Sequence, residues 1–295
     1  MQYLYYPGCS LEGTAREYDV STRAVMDRLE ALLTELPDWT CCGASAAEPN
    51  SLLLSLVLPA RNLAIAESTA PDRDILVPCS ACYLNLKRAG EAVANEPGLS
   101  AKINAVLQEE ELVLNRPAGV RHLLDVLATD IGPERIGALV KTPLEGLTVA
   151  PYYGCQCLRP YTVFDDPEKP RSMEALITTT GAAVHPWSMG ARCCGASHMN
   201  TKPEVAQKLV GGILAAARGA DVIVTVCPMC QMNLEAYQKT ISRKENDDLQ
   251  ITVMYLPQLI GLALGMTEAE LGIGLNLAVT QAFRNGQWTG KAATG

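Results

Sequence analysis

Four short runs of apolar and β-branched residues, at 3–6, 75–77, 148–150 and 222–226, have the length and composition of buried strands. Segments whose apolar positions recur at helical spacing lie at 15–36, 52–67, 83–93, 204–218 and 229–241. Strands alternating with helices predict parallel sheets covered by helices, an α/β fold. Two or three further helices are expected within 99–142, where Pro133 and Pro143 mark breaks, and Pro143-Leu144-Glu145-Gly146 reads as a linker. The longest apolar stretch, 251–266, contains Pro257 and Gln258 and falls short of the roughly 20 residues a spanning helix needs, so it is assigned to the core.

The pattern occurs twice. Cys9, Cys41, Cys42, Cys79 and Cys82 are followed in the same order by Cys155, Cys193, Cys194, Cys227 and Cys230, each set a single cysteine, an adjacent pair and a Cys-x-x-Cys. The flanks repeat with them: Cys41-Cys42-Gly43-Ala44-Ser45 returns unchanged as Cys193-Cys194-Gly195-Ala196-Ser197, and an Asn-Leu pair follows each Cys-x-x-Cys, at Asn85-Leu86 and Asn233-Leu234. Such self-similarity indicates duplication of one unit. The expected organisation is two pseudo-symmetric repeats with short parallel sheets flanked by helices: residues 1–142, residues 147–275, and a tail over 276–295. The cysteines then fall at the carboxyl ends of strands and at the turns into helices, where open α/β sheets carry their ligands and where helix N-termini favour thiolates.

Hydrophobic residues make up 48% of the 295 and charged residues 19%, enough for packed cores. The net charge of −8 and the absence of a basic cluster argue against nucleic acid as a partner. Residues 1–9 show neither a basic n-region nor an apolar h-region, so no signal peptide is expected, and no membrane span either. The expected location is the cytoplasm. Eleven cysteines in such a reducing compartment point to metal or redox chemistry rather than structural disulfides.

Zinc competes for these thiolates but takes four ligands in a closed tetrahedron, commonly from two Cys-x-x-Cys knuckles. Each repeat offers one such knuckle, an adjacent pair and a distant single. Neighbouring cysteines have Cα atoms about 3.8 Å apart, closer than a disulfide normally requires and cramped on one zinc. Several irons of one cluster would accept them more easily. An ordinary cubane needs four cysteines, so five per repeat suggests a different cluster, with room for a bridging thiolate.

The doubled pattern Cys…Cys-Cys-Gly…Cys-x-x-Cys resembles that of the CCG-domain proteins. The opening Tyr6-Pro7-Gly8-Cys9-Ser10-Leu11-Glu12-Gly13-Thr14-Ala15, with Tyr153-Gly154-Cys155 and Leu158-Arg159-Pro160, is similar in particular to the family of heterodisulfide reductase B components over about residues 1 to 266. The resemblance implies two non-cubane [4Fe–4S] clusters, with Cys9, Cys41, Cys42, Cys79 and Cys82 at the ligand positions of one and Cys155, Cys193, Cys194, Cys227 and Cys230 at those of the other. It also implies a thiol or disulfide substrate, small or carrier-borne, and two partners in the same complex, a ferredoxin-like C component and a flavoprotein A component. No nucleotide fingerprint such as G-x-G-x-x-G is present to supply electrons within the chain. Related CCG proteins serve instead as electron-relay subunits of lactate, glycolate or quinone-linked dehydrogenases, which is the alternative reading.

Among the remaining residues, His198 follows Cys194 by four positions, where Ala46 stands in the first repeat, and is a candidate proton donor or substrate contact. Arg159 and Arg192 flank cluster cysteines and are candidates to steady an anionic substrate or the cluster charge. Cys157, outside the repeat, is expected to be a buried free thiol. His122, His185 and the tyrosines Tyr5, Tyr6, Tyr152 and Tyr153 are expected to be structural. A disulfide has two similar ends and takes two electrons. The duplication therefore suggests two clusters facing one cavity, each delivering one electron and receiving one sulfur.

Overall fold

The computed structural model describes residues 1–286. The first half runs β1 (Gln2–Tyr5), α1 (Gly8–Glu12), α2 (Arg16–Arg28), β2 (Leu32–Glu35), α3 (Leu52–Thr69), β3 (Ile75–Val77), α4 (Ser80–Asn95), α5 (Pro97–Leu107), β4 (Val120–His122), α6 (Leu123–Asp125) and α7 (Pro133–Ala138). The second half runs β5 (Thr148–Tyr152), α8 (Ser172–Thr179), β6 (Ala183–Val184), α9 (Pro203–Ala216), β7 (Val222–Thr225), α10 (Pro228–Ala236), α11 (Gln238–Glu245), β8 (Thr252–Tyr255), α12 (Leu256–Ala263) and the short α13 (Gln281–Arg284).

Two four-stranded sheets result, ordered β2-β1-β3-β4 and β6-β5-β7-β8, with every pairing parallel. This is the α/β architecture of two pseudo-symmetric repeats that the sequence predicts. Register follows the duplication: Val77 pairs with His122 and Thr225 with Tyr255, each two residues before the first cysteine of a Cys-x-x-Cys. The inner strands β3 and β7 are buried throughout, as their unbroken apolar runs require.

Several local expectations change. The 15–36 helix stops at Arg28, where Glu30 turns the chain with φ of 54°, and Leu32–Glu35 becomes an edge strand on β1. No glycine or proline punctuates that turn. The 229–241 helix divides at Tyr237 into α10 and α11. Within 99–142 the helices are interrupted by β4, and the apolar stretch 251–266 supplies both β8 and α12.

The halves share one apolar core that runs from Tyr3 to Phe283. Two ring pairs cross between them. Tyr18, nine residues after Cys9, stacks on Tyr255 at 3.9 Å between centroids and 4° between planes. Phe164, nine residues after Cys155, lies parallel to His122 at 6.4 Å and 5°. Each half thus lends a ring to the strand end of the other. Of the expected tail, residues 276–286 are described and are packed down: the Asn276 amide donates to the Val253 carbonyl, Val253 N–H donates to the Ala278 carbonyl, and Phe283 is buried. The remainder, 287–295, lies outside the described residues.

Candidate functional site

In each half three loops leave the carboxyl ends of three neighbouring strands and carry the cysteines. Cys9 follows β1 on α1, the Cys41–Cys42 pair follows β2, and Cys79 is the N-cap of α4 with Cys82 one turn later. In the second half Cys155 follows β5, Cys193–Cys194 follow β6, and Cys227 caps α10 ahead of Cys230. With strand order 2-1-3-4, the chain reverses direction between β1 and β3. Crevices at that point are where such sheets bind ligands.

The sulfurs meet. Cys41 Sγ lies 3.6 Å from Cys9 Sγ and Cys42 Sγ 3.3 Å from Cys82 Sγ. In the second half Cys194 Sγ lies 3.6 Å from Cys230 Sγ, and Cys155 is in hydrogen-bond contact with Cys193. Contacts present in both halves hold the loops. The Tyr6 hydroxyl donates to the Thr40 carbonyl at 2.7 Å and Tyr152 to that of Arg192 at 2.6 Å, in both cases just before the cysteine pair. Asn85 donates to the Cys42 carbonyl and Asn233 to that of Cys194, which explains the repeated Asn-Leu signature. Backbone N–H groups of Gly43 and Gly195 donate to Cys41 Sγ and Cys193 Sγ at 3.4 and 3.3 Å.

Glycines make the space. Gly8 and Gly154 hold φ of 73° and 71°, and a Cβ there would lie 2.9 Å from Cys82 Sγ and 3.0 Å from Cys230 Sγ. Any side chain at either position would intrude on the donors.

Crowding splits the thiol acidities. Contact with a neighbouring sulfur leaves Cys193 favoured as thiolate, at about 6, its partner Cys155 being driven up; the charges of His198 and Arg159 also act on Cys193 in the same direction. Cys227 falls to about 7 through its contact with Cys230, helped by the backbone N–H groups that open α10. Cys82 and Cys230 are pushed well up by adjacent sulfurs and burial. Thiolates this close repel one another and cannot all ionise unless cations neutralise them.

The donor chemistry and the glycine cradles fit a sulfur-ligated metal cluster in each half. Five thiols on three segments exceed what a tetrahedral zinc takes. The sulfurs stand in close pairs rather than around one point: among the described residues no three His, Cys, Asp or Glu side chains are grouped as a single ion requires. Cys9, Cys41 and Cys193 are exposed and Cys155 half-buried, while Cys42, Cys79, Cys82, Cys194, Cys227 and Cys230 are buried, so each set is open on one side.

The other candidates divide. Arg159 is half-buried, donating to the Ala191 carbonyl and paired with Glu168 at 2.7 Å; His198 ends a short 3₁₀ turn after Gly195; both act electrostatically on Cys193. Arg192 is exposed and lines a cleft of about 590 Å³ beside that loop. A second cleft of about 590 Å³ is lined by Cys9 and Cys41 together with Glu12, Glu35, Asp38 and Trp39. Cys157 is buried, its thiol on the Tyr153 carbonyl at 3.3 Å. His122 is buried and held neutral, its basicity lowered by burial to about 3; Nδ1 accepts from Leu124 N–H and Nε2 meets the Ser80 hydroxyl. His185 Nε2 lies on the Ala216 carbonyl, and Tyr5, Tyr6, Tyr152 and Tyr153 are buried.

Sequence reasoning did not find what joins the two sites. Ser80, beside Cys79, donates to the carbonyl of Val226, beside Cys227, at 3.2 Å. The Tyr18 hydroxyl donates to the Pro78 carbonyl, and that phenol lies near Cys79 and Cys227 together. The inner ends of the two donor sets therefore lie back to back across the boundary. The nine-residue spacing from Cys9 to Tyr18 and from Cys155 to Phe164 was the available signal.

Fold and site together define a tandem CCG protein: residues 3–87 and 149–235 match the CCG family, described as a cysteine-rich domain, and the chain belongs to that family. It is 36% identical to the 8-methylmenaquinol:fumarate reductase membrane anchor subunit of Wolinella succinogenes over 94% of this chain and 96% of that one. It is 31% identical to the B component of the Ferredoxin/F(420)H(2)-dependent CoB-CoM heterodisulfide reductase of Methanosarcina acetivorans over 92% of each. A solved structure, a hypothetical protein from Helicobacter pylori, shares the fold with a TM-score of 0.74 at 16% identity; the alignment covers 95% of this chain and 52% of that one. Among the described residues no helix is long and apolar enough to cross a membrane.

Proposed function

We propose that this chain is the iron–sulfur subunit of a heterodisulfide reductase-like complex, and that its ten repeat cysteines hold two [4Fe–4S] clusters of a non-cubane type. The supporting observation is the twofold gathering of five thiols whose inner members are buried and whose outer members, Cys9, Cys41 and Cys193, reach the surface. Bound there, such a cluster supplies one-electron redox change and an iron able to take up a thiolate sulfur. The chain's own residues would shape the encounter: Arg159 and Arg192 attract an anionic thiol or disulfide, and His198 hands a proton to the departing sulfur. Cleavage of one disulfide consumes two electrons and two protons and gives two thiols; the reverse reaction releases them. Electrons would come from a ferredoxin-like C component and a flavoprotein A component, in the cytoplasm. Residues 1–142 and 147–275 would be the two CCG units.

A second reading rests on the 36% identity to the Wolinella protein: the chain would relay electrons between a quinol and a dehydrogenase. Protein purified anaerobically should contain iron and acid-labile sulfide near four of each per repeat. After thiol treatment and oxidation it should give a paramagnetic signal altered by the thiol. Little iron, or one zinc per repeat, would overturn the cluster assignment. A normal iron content without any thiol effect, together with turnover of a menaquinol analogue, would favour the relay.

A further inference from the structure

The two donor sets match in backbone and in sulfurs but not in charge. Four residues after the lone cysteine stands Gly13 in the first repeat and Arg159 in the second; before the cysteine pair, Thr40 and Arg192; four after it, Ala46 and His198. All three changes add a basic side chain to the second repeat. The charges of Arg159 and His198 reach Cys193, and Arg192 adjoins it. In the first repeat the cleft at Cys9 and Cys41 carries Glu12, Glu35 and Asp38. Neutralisation is incomplete on both sides. Glu35 is paired with Arg23 at 2.5 Å and Asp38 with Arg61 at 2.6 Å, while Glu12 is exposed, and Arg159 is the sole one of the second repeat's three with a carboxylate partner among the ion pairs of the described residues.

Given the cluster reading above, we infer that the side chains around the two centres make them unequal electron sites: the basic set of Arg159, Arg192 and His198 stabilises an electron in the second repeat, and the acidic cleft disfavours one in the first. Adding an electron makes a cluster one unit more negative. Net charge and hydrogen bonds to the sulfurs set its potential, and fixed cations close to partly buried sulfurs act with less screening than they would in water. One electron then passes from the reduced first centre to the oxidised second, with no proton or atom transferred. The first repeat would then be the entry for electrons and the second the centre that fills first, so that the two electrons a disulfide takes are held one on each centre. The exchange requires no carrier within the chain, because Cys79 and Cys227 lie back to back about Tyr18 and the Ser80–Val226 hydrogen bond.

The test is a potentiometric titration of the full, cluster-loaded chain, followed by paramagnetic resonance and without substrate. Two one-electron couples should appear. Arg192→Gln, which removes an exposed side chain, and Arg159→Gln should each lower the higher couple and leave the lower one in place. Together they should reduce the occupancy ratio of second to first centre about tenfold at a fixed potential, which is 59 mV for one electron. Thr40→Arg should raise the lower couple. Coincident couples in the wild type, movement of the lower couple by Arg192→Gln, or equal movement of both would overturn the inference while leaving the clusters established. Loss of iron from the wild-type preparation would instead overturn the cluster reading and this inference with it.

Discussion

Gly43 and Gly195 each follow a cysteine pair and hold φ of 73°, a left-handed conformation that costs a residue with a Cβ about 1–2 kcal/mol. Space is also short. A Cβ on Gly43 would lie 2.7 Å from Leu58 Cδ1 and 2.9 Å from Ala47 Cβ; on Gly195 it would meet Leu209 Cδ1 at 2.8 Å and Ala206 Cα at 3.2 Å. Overpacking adds about 1–3 kcal/mol. Gly43→Ala should therefore destabilise by about 2–5 kcal/mol, read from urea unfolding of metal-free protein. It should also lower bound iron per chain, because the Gly43 N–H that supports Cys41 moves with the loop. Unchanged iron and stability would show that the loop relaxes freely. Gly195→Ala should be milder, since beyond the leucine tip that each glycine faces its next neighbour lies at 3.2 Å rather than 2.9 Å. At this scale the sequence was informative about chemistry and silent about contact. The unchanged Cys-Cys-Gly-Ala-Ser and the Asn-Leu pairs announced one geometry used twice, but it takes the fold to bring Asn85 and Asn233 onto the second cysteine's carbonyl.

Strand and helix existence was legible wherever periodicity was long or apolar runs were continuous, as in β3, β7, α3 and α9. It failed at β2 because the edge strand is four residues long, mixed in polarity, and entered through a glutamate rather than a glycine. At 276–286, expected only as a tail, there was no periodicity to read. Polar groups are in fact what fasten that segment: buried Glu235 on α10 accepts from Ala278 N–H at 3.1 Å and from Gln231 at 2.9 Å. Burial raises the Glu235 carboxyl from 4.5 to about 7, the nearby Glu17 charge adding to the effect, and Glu17 is itself raised by burial. The unfolded chain ionises first on raising the pH. The contribution is thus fully present below about pH 4.5 and is lost as pH climbs through 7, a fall on the order of 3 kcal/mol. Glu235→Gln keeps an acceptor for Ala278 and removes the titration. Urea midpoints at pH 5 and 7.5 should converge in this variant relative to wild type, with the smaller remainder of the trend due to Glu17. A wild-type slope that survives Glu235→Gln intact would assign it elsewhere.

For the whole molecule, the two repeats of one plan share a single interior. The core is continuous across the boundary, α12 of the second half packs on α2 of the first, and the ring exchange runs both ways, Tyr18 onto Tyr255 and Phe164 onto His122. Separating the halves would bare these rings and break the hydrogen bond between the buried Ser80 hydroxyl and Val226 carbonyl. Unfolding should consequently be one event. Truncating a buried aromatic to alanine costs about 3–5 kcal/mol, and that cost should be felt on both sides of the boundary. In Tyr18→Ala, hydrogen exchange read in urea should show the amides of β5 and β7, in the half that was not mutated, losing protection by as much as those of β1 and β3. Were β5 and β7 to keep wild-type protection while β1 and β3 opened, the halves would be thermodynamically separate. The two cysteine sets would then owe their spacing to a loose contact, whereas a shared core fixes it.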